Sequence, residues 1–493
     1  MSIKKRILAV AAASALGAMA AVPAMAFENE FHGSYTLKYF LSNYENGGGG
    51  RLDPTAAVTG NALTAAGVSR ATDKLKANNY FEQRARLFYT AKANDDLKLV
   101  TGFEIDSVWG DKAQGQTTRN NGGALESDAV NLETKWVYLQ FKVPSTPTTV
   151  IAGIQPFKDN IKGILADFDA AGLVTATKLD NATVVAGYFR GYDQSYFSTN
   201  NVRGNSDLDI GALEFKYALS KDANVGLDYY IYNDARGTLG SNLQVNTFGL
   251  YGDAKVGIVA LSGFLAYQGG VVRNISGADS AYLNALAYNV AAKAAIGPGT
   301  LKTALIFTSG NSDSASRGNS KHLTGWVGTA QSQNATWTNN SGTSSYNESG
   351  MMLLNRNALA QGTTTDLSIA YNTGNGTSPL TAQGMYLYTL GYDVNVTPKA
   401  YVNANLGLLW AAHTNSLKPV DKLTTKQNAS NFQGTEINVE TGYKMYDNLT
   451  AKFQAAYVIL GGYYKNSVSK GAVGTAADPE NPYTARVVLS YAF

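Results

Sequence analysis

The chain of 493 residues contains no cysteine. This absence excludes a disulfide-stapled secreted scaffold, a thiolate metal site and covalent haem attachment of the C-x-x-C-H type. Proline is also scarce, with 11 residues, and charged residues make up 16% of the chain, against roughly 25% in a typical globular protein. Glycine and tyrosine are abundant instead, with 50 and 30 residues. This composition suits a long series of strands joined by polar loops better than an ordinary soluble enzyme.

The chain beyond its first residues offers little material for a membrane-spanning helix. Residues 256–272 form an uncharged run of about the minimum length for a helical span, roughly 17 residues. Polar and small residues such as Gly263 and Gln268 interrupt this run. Two strands joined by a turn at 255–257 explain it better. A helical inner-membrane protein is therefore not expected.

Residues 1–26 predict a secretory signal peptide. A charged start at residues 4–6 precedes an apolar stretch at 7–22 and a small-residue cleavage site at 24–26. The mature chain, residues 27–493, is expected to form a single domain. Removal of the signal lowers Lys+Arg from 40 to 37, which equals the 37 Asp+Glu. This charge balance predicts no nucleic-acid partner.

Apolar residues alternate with polar ones from the start of the mature chain to its end. The period of two predicts strands that have one apolar face. Aromatic residues recur eight positions apart on that face, as in Phe31 with Tyr39 and Tyr483 with Tyr491. Eight residues at about 3.3 Å each, tilted by roughly 40°, rise about 20 Å, close to the spacing of two interfacial aromatic girdles. The pattern favours an all-β membrane protein over a soluble sandwich.

The connections between these strands alternate between short and long. The eight short ones lie at 93–96, 144–148, 179–181, 219–223, 255–257, 296–299, 395–399 and 445–448. The nine long ones lie at 42–77, 109–129, 156–169, 193–206, 235–244, 270–279, 311–383, 412–434 and 463–481. This alternation is typical of a transmembrane antiparallel β-barrel with short periplasmic turns and long outer loops, of which 311–383 would be the longest. The connections predict about 18 strands, and 16 or 20 strands also fit.

The last strand ends on an aromatic residue preceded by apolar residues at alternate positions: Leu489, Tyr491 and Phe493. This ending resembles the C-terminal strand by which outer-membrane barrels are recognised for insertion. Strand pairs around tight turns, such as 84–98, and Gly153-Ile154-Gln155 at a strand end add to the likeness. The mature chain resembles Gram-negative porins, especially the abundant porins of metal-reducing bacteria. The resemblance implies a location in the outer membrane, contacts with its lipid and lipopolysaccharide, insertion by the barrel-assembly machinery and a homotrimer.

The loop 156–169 carries apolar residues at helical spacing. Four of them follow the i, i+3, i+4, i+7 pattern of a short amphipathic helix that Asn160 could cap: Ile161, Ile164, Leu165 and Phe168. Porins usually fold their third loop into the lumen, so the resemblance implies an inward constriction loop whose helix packs on the wall. The charged residues of the loop are then candidates for the pore constriction: Lys158, Asp159, Lys162, Asp167 and Asp169. An outer loop with a local helix is the alternative.

The second strand turns charged side chains toward the lumen. With its aromatic residues outward, Glu82, Arg84 and Arg86 point inward. Arg84 and Arg86 resemble the arginine cluster of general porins. We expect them to face Asp167 and Asp169, because opposite signs across a constriction create a transverse field. A polar lumen wall without a selective role is the alternative.

These features favour a water-filled channel for passive diffusion of ions and small hydrophilic solutes. Phe88, Tyr230 and Tyr232 also point inward, which leaves a substrate-specific channel as an alternative. A third reading is a barrel that sheathes an electron-transfer partner or serves as a surface adhesin. A constriction helix inside the barrel favours the channel, whereas a wide empty lumen would favour the sheath.

Catalysis and metal binding are not expected. His32, His322 and His413 are scattered at a strand start, in the longest loop and at the base of another loop. They form no nucleophile–base pair and no metal-ligand spacing. The glycine-rich and Asn-Gly segments lack the flanking residues of a phosphate-binding or EF-hand loop. The sequence therefore predicts no enzyme and no cofactor.

Overall fold

The computed structural model describes part of the chain. Its described residues are 28–44, 77–110, 123, 132–193, 207–236, 242–273, 280–311, 322–328, 346, 350–355, 369, 382–414, 418–470 and 475–493. The predicted signal peptide lies outside them. No helix among them is long and apolar enough to cross a membrane.

Eighteen long strands form one antiparallel sheet. They are β1 (Glu28–Ser42), β2 (Asn78–Asn94), β3 (Leu97–Val108), β4 (Leu132–Lys142), β5 (Thr148–Lys158), β6 (Asp167–Leu179), β7 (Ala182–Tyr192), β8 (Leu208–Ser220), β9 (Ala223–Asp234), β10 (Asn242–Val256), β11 (Val259–Arg273), β12 (Ala281–Ile296), β13 (Gly299–Thr308), β14 (Met385–Asn395), β15 (Ala400–Ala411), β16 (Phe432–Tyr446), β17 (Leu449–Leu460) and β18 (Tyr483–Ala492). Because β1 pairs with both β2 and β18, the sheet closes into a barrel. The predicted antiparallel barrel of 18 strands is confirmed.

Short and long connections alternate around the barrel as predicted. The eight short connections are turns at 95–96, 143–147, 180–181, 221–222, 257–258, 297–298, 396–399 and 447–448. Gly257 and Gly297 have φ of 60° in two of these turns, a left-handed conformation that glycine adopts without steric cost. One end of the barrel therefore carries only tight turns, together with the start of β1 and the end of β18.

The long connections contain short elements of their own. His322–Leu323 pairs in parallel with β12. Val420–Asp421 pairs with Lys426–Gln427, and Val468–Lys470 pairs with Thr475–Ala477, each as a small hairpin. Gly462–Tyr464 forms one 3₁₀ turn.

The barrel has an apolar outside, and its inside carries polar and charged side chains beside apolar ones such as Ile210, Val245 and Leu387. Outward residues such as Phe31, Val290 and Ile437 are 63%, 64% and 56% exposed. Inward residues include fully buried polar groups such as Gln268 and Arg486. Closure pairs the two edge strands of the sheet with each other, and lipid can solvate the apolar exterior.

Arginine at the outward position Val290 is expected to destabilise the folded barrel by roughly 2–4 kcal/mol. Val290 lies seven residues from the turn at 297–298, or about 18 Å for a strand tilted by roughly 40°. Arginine at the neighbouring Ala291, which faces inward, should be tolerated because water can solvate it. Reversible unfolding of V290R and A291R in lipid vesicles measures both values. Equal stabilities would contradict the assignment of the two faces.

Candidate pore constriction

The β5–β6 hairpin leaves the barrel wall. Pairing of β4 with β5 ends at Val137↔Ile154, and pairing of β6 with β7 ends at Ala171↔Arg190. Pairing between β5 and β6 continues to Lys158↔Asp167. Residues 155–170, the lumen hairpin, therefore pair only with each other.

Gly153 permits this departure from the wall. Its φ is 131°, and a Cβ atom there would lie 2.3 Å from the carbonyl oxygen of Val137. Residues with a side chain rarely adopt this φ and would clash with β4. The glycine therefore sits where β5 must bend away from its neighbour.

The tip of the lumen hairpin reaches the inner face of β9. The backbone N–H of Asn160 donates to the hydroxyl of Tyr230 at 3.2 Å, and its side-chain amide donates to Asp228 at 3.1 Å. Both partners point inward, because Leu227 and Ile231, which flank them in the strand, are exposed on the outside. The hairpin tip thus lies inside the barrel.

The predicted helix within 156–169 is wrong. β5 extends to Lys158 and β6 begins at Asp167, so the connection is only residues 159–166, and these form turns and bends. Lys162 and Gly163 have φ of 71° and 78°, which breaks a right-handed helix. The apolar spacing correctly predicted a buried face, but a compact turn buries it.

The buried face consists of Ile161, Ile164 and Leu165, each at most 2% exposed. Below them Phe168 packs against Phe157 and Phe189, with ring centroids 5.6 and 5.3 Å away. These contacts replace the wall hydrogen bonds that the hairpin gives up. The hydrophobic effect therefore holds the tip in one position.

Asp159 organises the tip from within. Its carboxylate accepts hydrogen bonds from the backbone N–H groups of Gly163 at 2.7 Å, Leu165 at 2.8 Å and Ala166 at 2.6 Å. Burial raises the pKa of this carboxyl to about 6, although the N–H donors act in the opposite direction. The oxygens of this group are turned toward its own loop.

The other charged residues of the hairpin are partly exposed. Asp169 forms an ion pair with Lys135 on β4 at 2.6 Å and accepts the indole N–H of Trp136 at 2.7 Å. Lys158 and Asp167 lie 3.8 Å apart on the two arms of the hairpin. Lys162 lies in the turn of the tip.

The arginine pair on β2 is neutralised by its neighbour strand. Arg84 forms two hydrogen bonds of 2.6 Å with Asp106, and Arg86 forms one of 2.5 Å with Glu104. Arg84 also lies 3.4 Å from Glu104. The sequence had predicted Asp167 and Asp169 as the groups facing these arginines. The contacts of the described residues instead place carboxylates of β3 beside them.

Glu82 lies on the same inner surface. Its carboxylate is 3.7 Å from the amino group of Lys38. The resulting patch on β1 to β3 holds three positive groups, Lys38, Arg84 and Arg86, and three negative groups, Glu82, Glu104 and Asp106. Opposite charges alternate within this patch rather than across the pore.

A second segment enters the barrel from the long connection 309–384. The carboxylate of Glu436, inward on β16, accepts N–H groups from Met352 at 2.7 Å, Leu353 at 2.9 Å and Leu354 at 2.7 Å. The side chains of residues 351–354 are buried. We call the described residues 322–328 and 350–355 the second insert.

The second insert also touches the lumen hairpin. The indole N–H of Trp326 donates to the carbonyl oxygen of Ile164 at 3.1 Å. Val327 exchanges two hydrogen bonds with the inward side chain of Gln268, at 2.9 and 2.8 Å. The segment 311–383, predicted as an outer loop, therefore contacts the inner wall in its described parts. The apolar run of residues 351–354 was the sequence signal for this burial.

Inward aromatic residues lie where the alternation predicted them. Phe88 stacks between His32 and Trp136, with ring centroids 5.3 and 4.8 Å away. Gly102 lies beneath this stack, where a Cβ atom would come within 3.0 Å of Phe88. Tyr230 is held by a 2.8 Å hydrogen bond to Glu214. Phe88 therefore lies in a ring stack on the inner wall, and Tyr230 is buried beneath the tip of the lumen hairpin.

No group of three or more His, Cys, Asp or Glu side chains in the described ranges could hold a metal ion. His32 is exposed at the start of β1 and stacks on Phe88, while His322 lies 6.2 Å from the ring of Tyr282. His413 follows the end of β15. The histidines occupy three separate places.

The C-terminal residue closes the seam between β18 and β1. Phe493 and Gly33 exchange backbone hydrogen bonds of 2.8 and 3.1 Å. The Phe493 ring stacks on Phe31 and Tyr491, with centroids 6.4 and 5.5 Å away. Gly33 makes room for it, since a Cβ atom there would lie 2.7 Å from the ring. Leu489 is outward on the same strand, as predicted.

Deletion of Phe493 is expected to lower the amount of assembled barrel severalfold, because the seam loses two hydrogen bonds and its aromatic contact. The variant F493Y keeps the ring and should assemble normally. Heat-modifiable mobility in electrophoresis of membrane fractions measures the folded barrel. Normal levels after the deletion would show that Phe493 is dispensable for insertion.

Solved structures with a similar fold include three bacterial proteins. Pseudomonas aeruginosa OccK8 (OprE) is 11% identical over 94% of this chain and 98% of that chain, with a TM-score of 0.51. Acinetobacter baumannii OccAB4 and the outer membrane protein opdK from Pseudomonas aeruginosa are each 12% identical, with the same coverage and TM-score. At such identities the likeness concerns the fold. No protein-family model matches the chain, and no curated protein matches its sequence.

Proposed function

We propose that this protein is an outer-membrane porin whose barrel is a water-filled channel for passive diffusion of ions and small hydrophilic solutes. The observation that carries the proposal is a closed barrel with an apolar outside and charged, partly exposed side chains inside, such as Lys135 and Asp169. Charges of this kind are stable inside a membrane barrel when water solvates them. The similar fold of an outer membrane protein supports the same location.

In this proposal the lumen hairpin and the second insert form the constriction. Lys158, Lys162, Asp167 and Asp169 border the pore from the hairpin side, together with Lys135. Glu82, Arg84 and Arg86 border it from the β2 wall. Asp159 acts indirectly, because its carboxylate holds the tip in shape. No step of this function requires catalysis or a cofactor.

A substrate-specific channel is a second candidate. Two inserts that touch each other through Trp326 and Ile164 restrict the lumen more than one loop would. The stacked rings of His32, Phe88 and Trp136 offer a surface for planar solutes. A sheath for a folded electron-transfer partner fits less well, because the inserts occupy the space that such a partner would need.

The assembly of the protein follows from the same proposal. The mature chain is expected to begin at Phe27, to be inserted by the barrel-assembly machinery, and to form a homotrimer among lipid and lipopolysaccharide. The likeness to porins of metal-reducing bacteria stays a prediction from sequence. Mass spectrometry of the purified outer-membrane protein should give the mass of residues 27–493. A mass that includes residues 1–26 would contradict export by signal cleavage.

Liposome swelling tests the diffusion function. Vesicles containing the protein should swell in small neutral sugars at rates that fall steadily with solute size, because a constricted water-filled pore sieves solutes. Swelling for one solute class alone would favour the substrate-specific candidate. Vesicles that do not swell in any solute, although the barrel is folded, would contradict both.

A further inference from the structure

Lysine residues line the inside of the barrel near its short turns. Eight strands around the barrel each carry a lysine that alternation directs inward, that lies within five residues of a short turn and that has no ion pair in the described structure: Lys98 on β3, Lys142 on β4, Lys178 on β6, Lys216 on β8, Lys255 on β10, Lys293 on β12, Lys444 on β16 and Lys452 on β17. We call this set the lysine ring. Six of the eight are exposed, and Lys98 and Lys452 are half-buried.

The inward direction follows from the exposed apolar neighbours of each lysine. Lys216 lies between Phe215 and Tyr217, which are 38% and 39% exposed on the outside. Lys293 lies three residues from the outward Val290 and therefore on the opposite face. The same alternation holds for the other six strands.

The lysine ring is not neutralised by carboxylates of the wall. Within the part of the chain that the structure describes, none of its eight lysines forms an ion pair. By contrast Lys92 pairs with Glu28 and Glu30, and Lys302 pairs with Asp393. Lys302 compensates Asp393, whereas Glu28 and Glu30 share Lys92 and keep one negative charge, which acts on Lys98.

Other acids at this end leave the excess in place. Asp253 faces inward at the same level and accepts a hydrogen bond from Asn224. The remaining acids lie in the turns themselves, at the rim beyond the ring: Asp95, Asp96, Asp180, Asp222 and Asp447. The inner wall at the mouth therefore carries a net positive charge.

Carboxylates without an ion pair lie deeper in the barrel. Glu214, Asp228, Glu436 and Glu440 face inward and accept hydrogen bonds from neutral groups in the described structure. They lie 6 to 11 residues from the nearest short turn, whereas the lysines lie within five. At about 2.5 Å of axial rise per residue, the two sets occupy different levels of the pore.

We propose that the lysine ring is a binding site for small polyvalent anions at the short-turn mouth of the channel, a role that rests on the proposed channel function. Several unpaired ammonium groups facing one aqueous lumen attract a polyvalent anion more strongly than a monovalent one. Beyond the ring, the lumen hairpin and the second insert narrow the pore and hinder passage of the same anion. Polyvalent anions that enter from the short-turn side therefore stop at the ring and block the current.

The test uses inorganic tripolyphosphate on the mature full-length protein in planar bilayers. Because the chain has no cysteine, N448C places a single thiol in a short turn, and a bulky thiol reagent added to one compartment identifies that side. Tripolyphosphate added there should block the current, and the same concentration on the opposite side should block at least about tenfold less. Equal block from both sides would overturn the proposal.

Substitution of ring residues gives the second arm. The triple variant K98Q/K216Q/K293Q should need at least about tenfold more tripolyphosphate for half block. The control K422Q/K426Q/K465Q removes the same charge from the outer connections and should behave as wild type. Wild-type block in the ring variant would overturn the proposal.

Calorimetric titration of the detergent-solubilised barrel with tripolyphosphate makes the test independent of conduction. Tripolyphosphate binding that is lost in K98Q/K216Q/K293Q and kept in the control supports the ring, whether or not the barrel conducts. Absence of current with such binding would contradict only the channel function. Unchanged binding in the ring variant contradicts the ring itself. The two proposals therefore fail by different results.

Discussion

Replacement of residues 159–166 by the dipeptide Asn-Gly is expected to raise the single-channel conductance at least about twofold. Lys158 and Asp167 are already a paired position, so a two-residue turn can join β5 to β6 there. The change removes the contacts of Asn160 with Asp228 and Tyr230, and of Ile164 with Trp326. The hairpin tip, which reaches across the lumen to β9, would then be absent from the pore.

The matched control shortens a hairpin outside the lumen. Replacement of residues 421–426 by Asn-Gly removes a similar length from the small hairpin Val420–Asp421 and Lys426–Gln427. Its conductance should equal that of the unmodified barrel. Heat-modifiable mobility first shows that both variants are folded. Equal conductance of the 159–166 variant and the unmodified barrel would place the hairpin tip outside the conduction path.

The double variants D167N/D169N and R84Q/R86Q are expected to shift ion selectivity in opposite directions. Loss of Asp169 leaves Lys135 unpaired and favours anions, whereas loss of both arginines leaves Glu104 and Asp106 uncompensated and favours cations. The permeability ratio should change by a factor of about two or more. Reversal potentials across a salt gradient measure it.

The dependence of the selectivity shift on salt concentration, together with a control variant, distinguishes charges in the lumen from charges on the outer connections. The Debye length falls from about 30 Å at 0.01 M to about 3 Å at 1 M, so the shift should be largest in dilute salt. The double variant D421N/D478N, on outer connections, carries the same charge change as D167N/D169N and serves as its control. Unchanged selectivity of both lumen variants in dilute salt would contradict the assigned constriction.

The barrel itself could be predicted from sequence because membrane strands obey a local rule. Outward residues such as Phe31 and Leu489 must be apolar, and inward ones can be polar, so a period of two marks each strand. Tight turns such as 95–96 and 447–448 then mark the strand ends. Strand number follows by counting, without knowledge of any long-range contact.

The lumen hairpin was predicted in place but not in shape. Its buried residues at Ile161 and Ile164 match a helix and a compact turn equally well. The turn forms because Lys162 and Gly163 take positive φ and because Asp159 collects three backbone N–H groups. A carboxylate folded over its own loop leaves no periodic signal in the sequence.

The partners of Arg84 and Arg86 depend on register. A β-bulge between Lys92 and Asn94 shifts the β2–β3 pairing by one residue and sets Arg84 opposite Asp106. Without the bulge Arg84 would face Ser107 across the hairpin. The sequence did contain a clue, because inward residues on both strands have even numbers. Across a two-residue turn without a bulge, each even-numbered residue of β2 would face an odd-numbered residue of β3. Inward residues of the two strands can therefore face each other only if a bulge shifts the register.

The second insert was beyond sequence reasoning of this kind. Its anchor, Glu436, accepts hydrogen bonds from the backbone N–H groups of Met352 and Leu353, which lie more than 80 positions away in the sequence. The apolar run at residues 351–354 indicated burial, but not against which wall. Contacts across the lumen of a closed barrel are set by the whole fold.

Single-channel recording of the purified mature protein tests the channel most directly. In planar bilayers, insertion should produce discrete, reproducible steps of current that persist without added substrate, because the barrel is proposed to hold a continuous path of water between its inserts. Heat-modifiable mobility of the same preparation shows that the barrel is folded. A folded preparation that yields no current above that of bare lipid would contradict the proposed function.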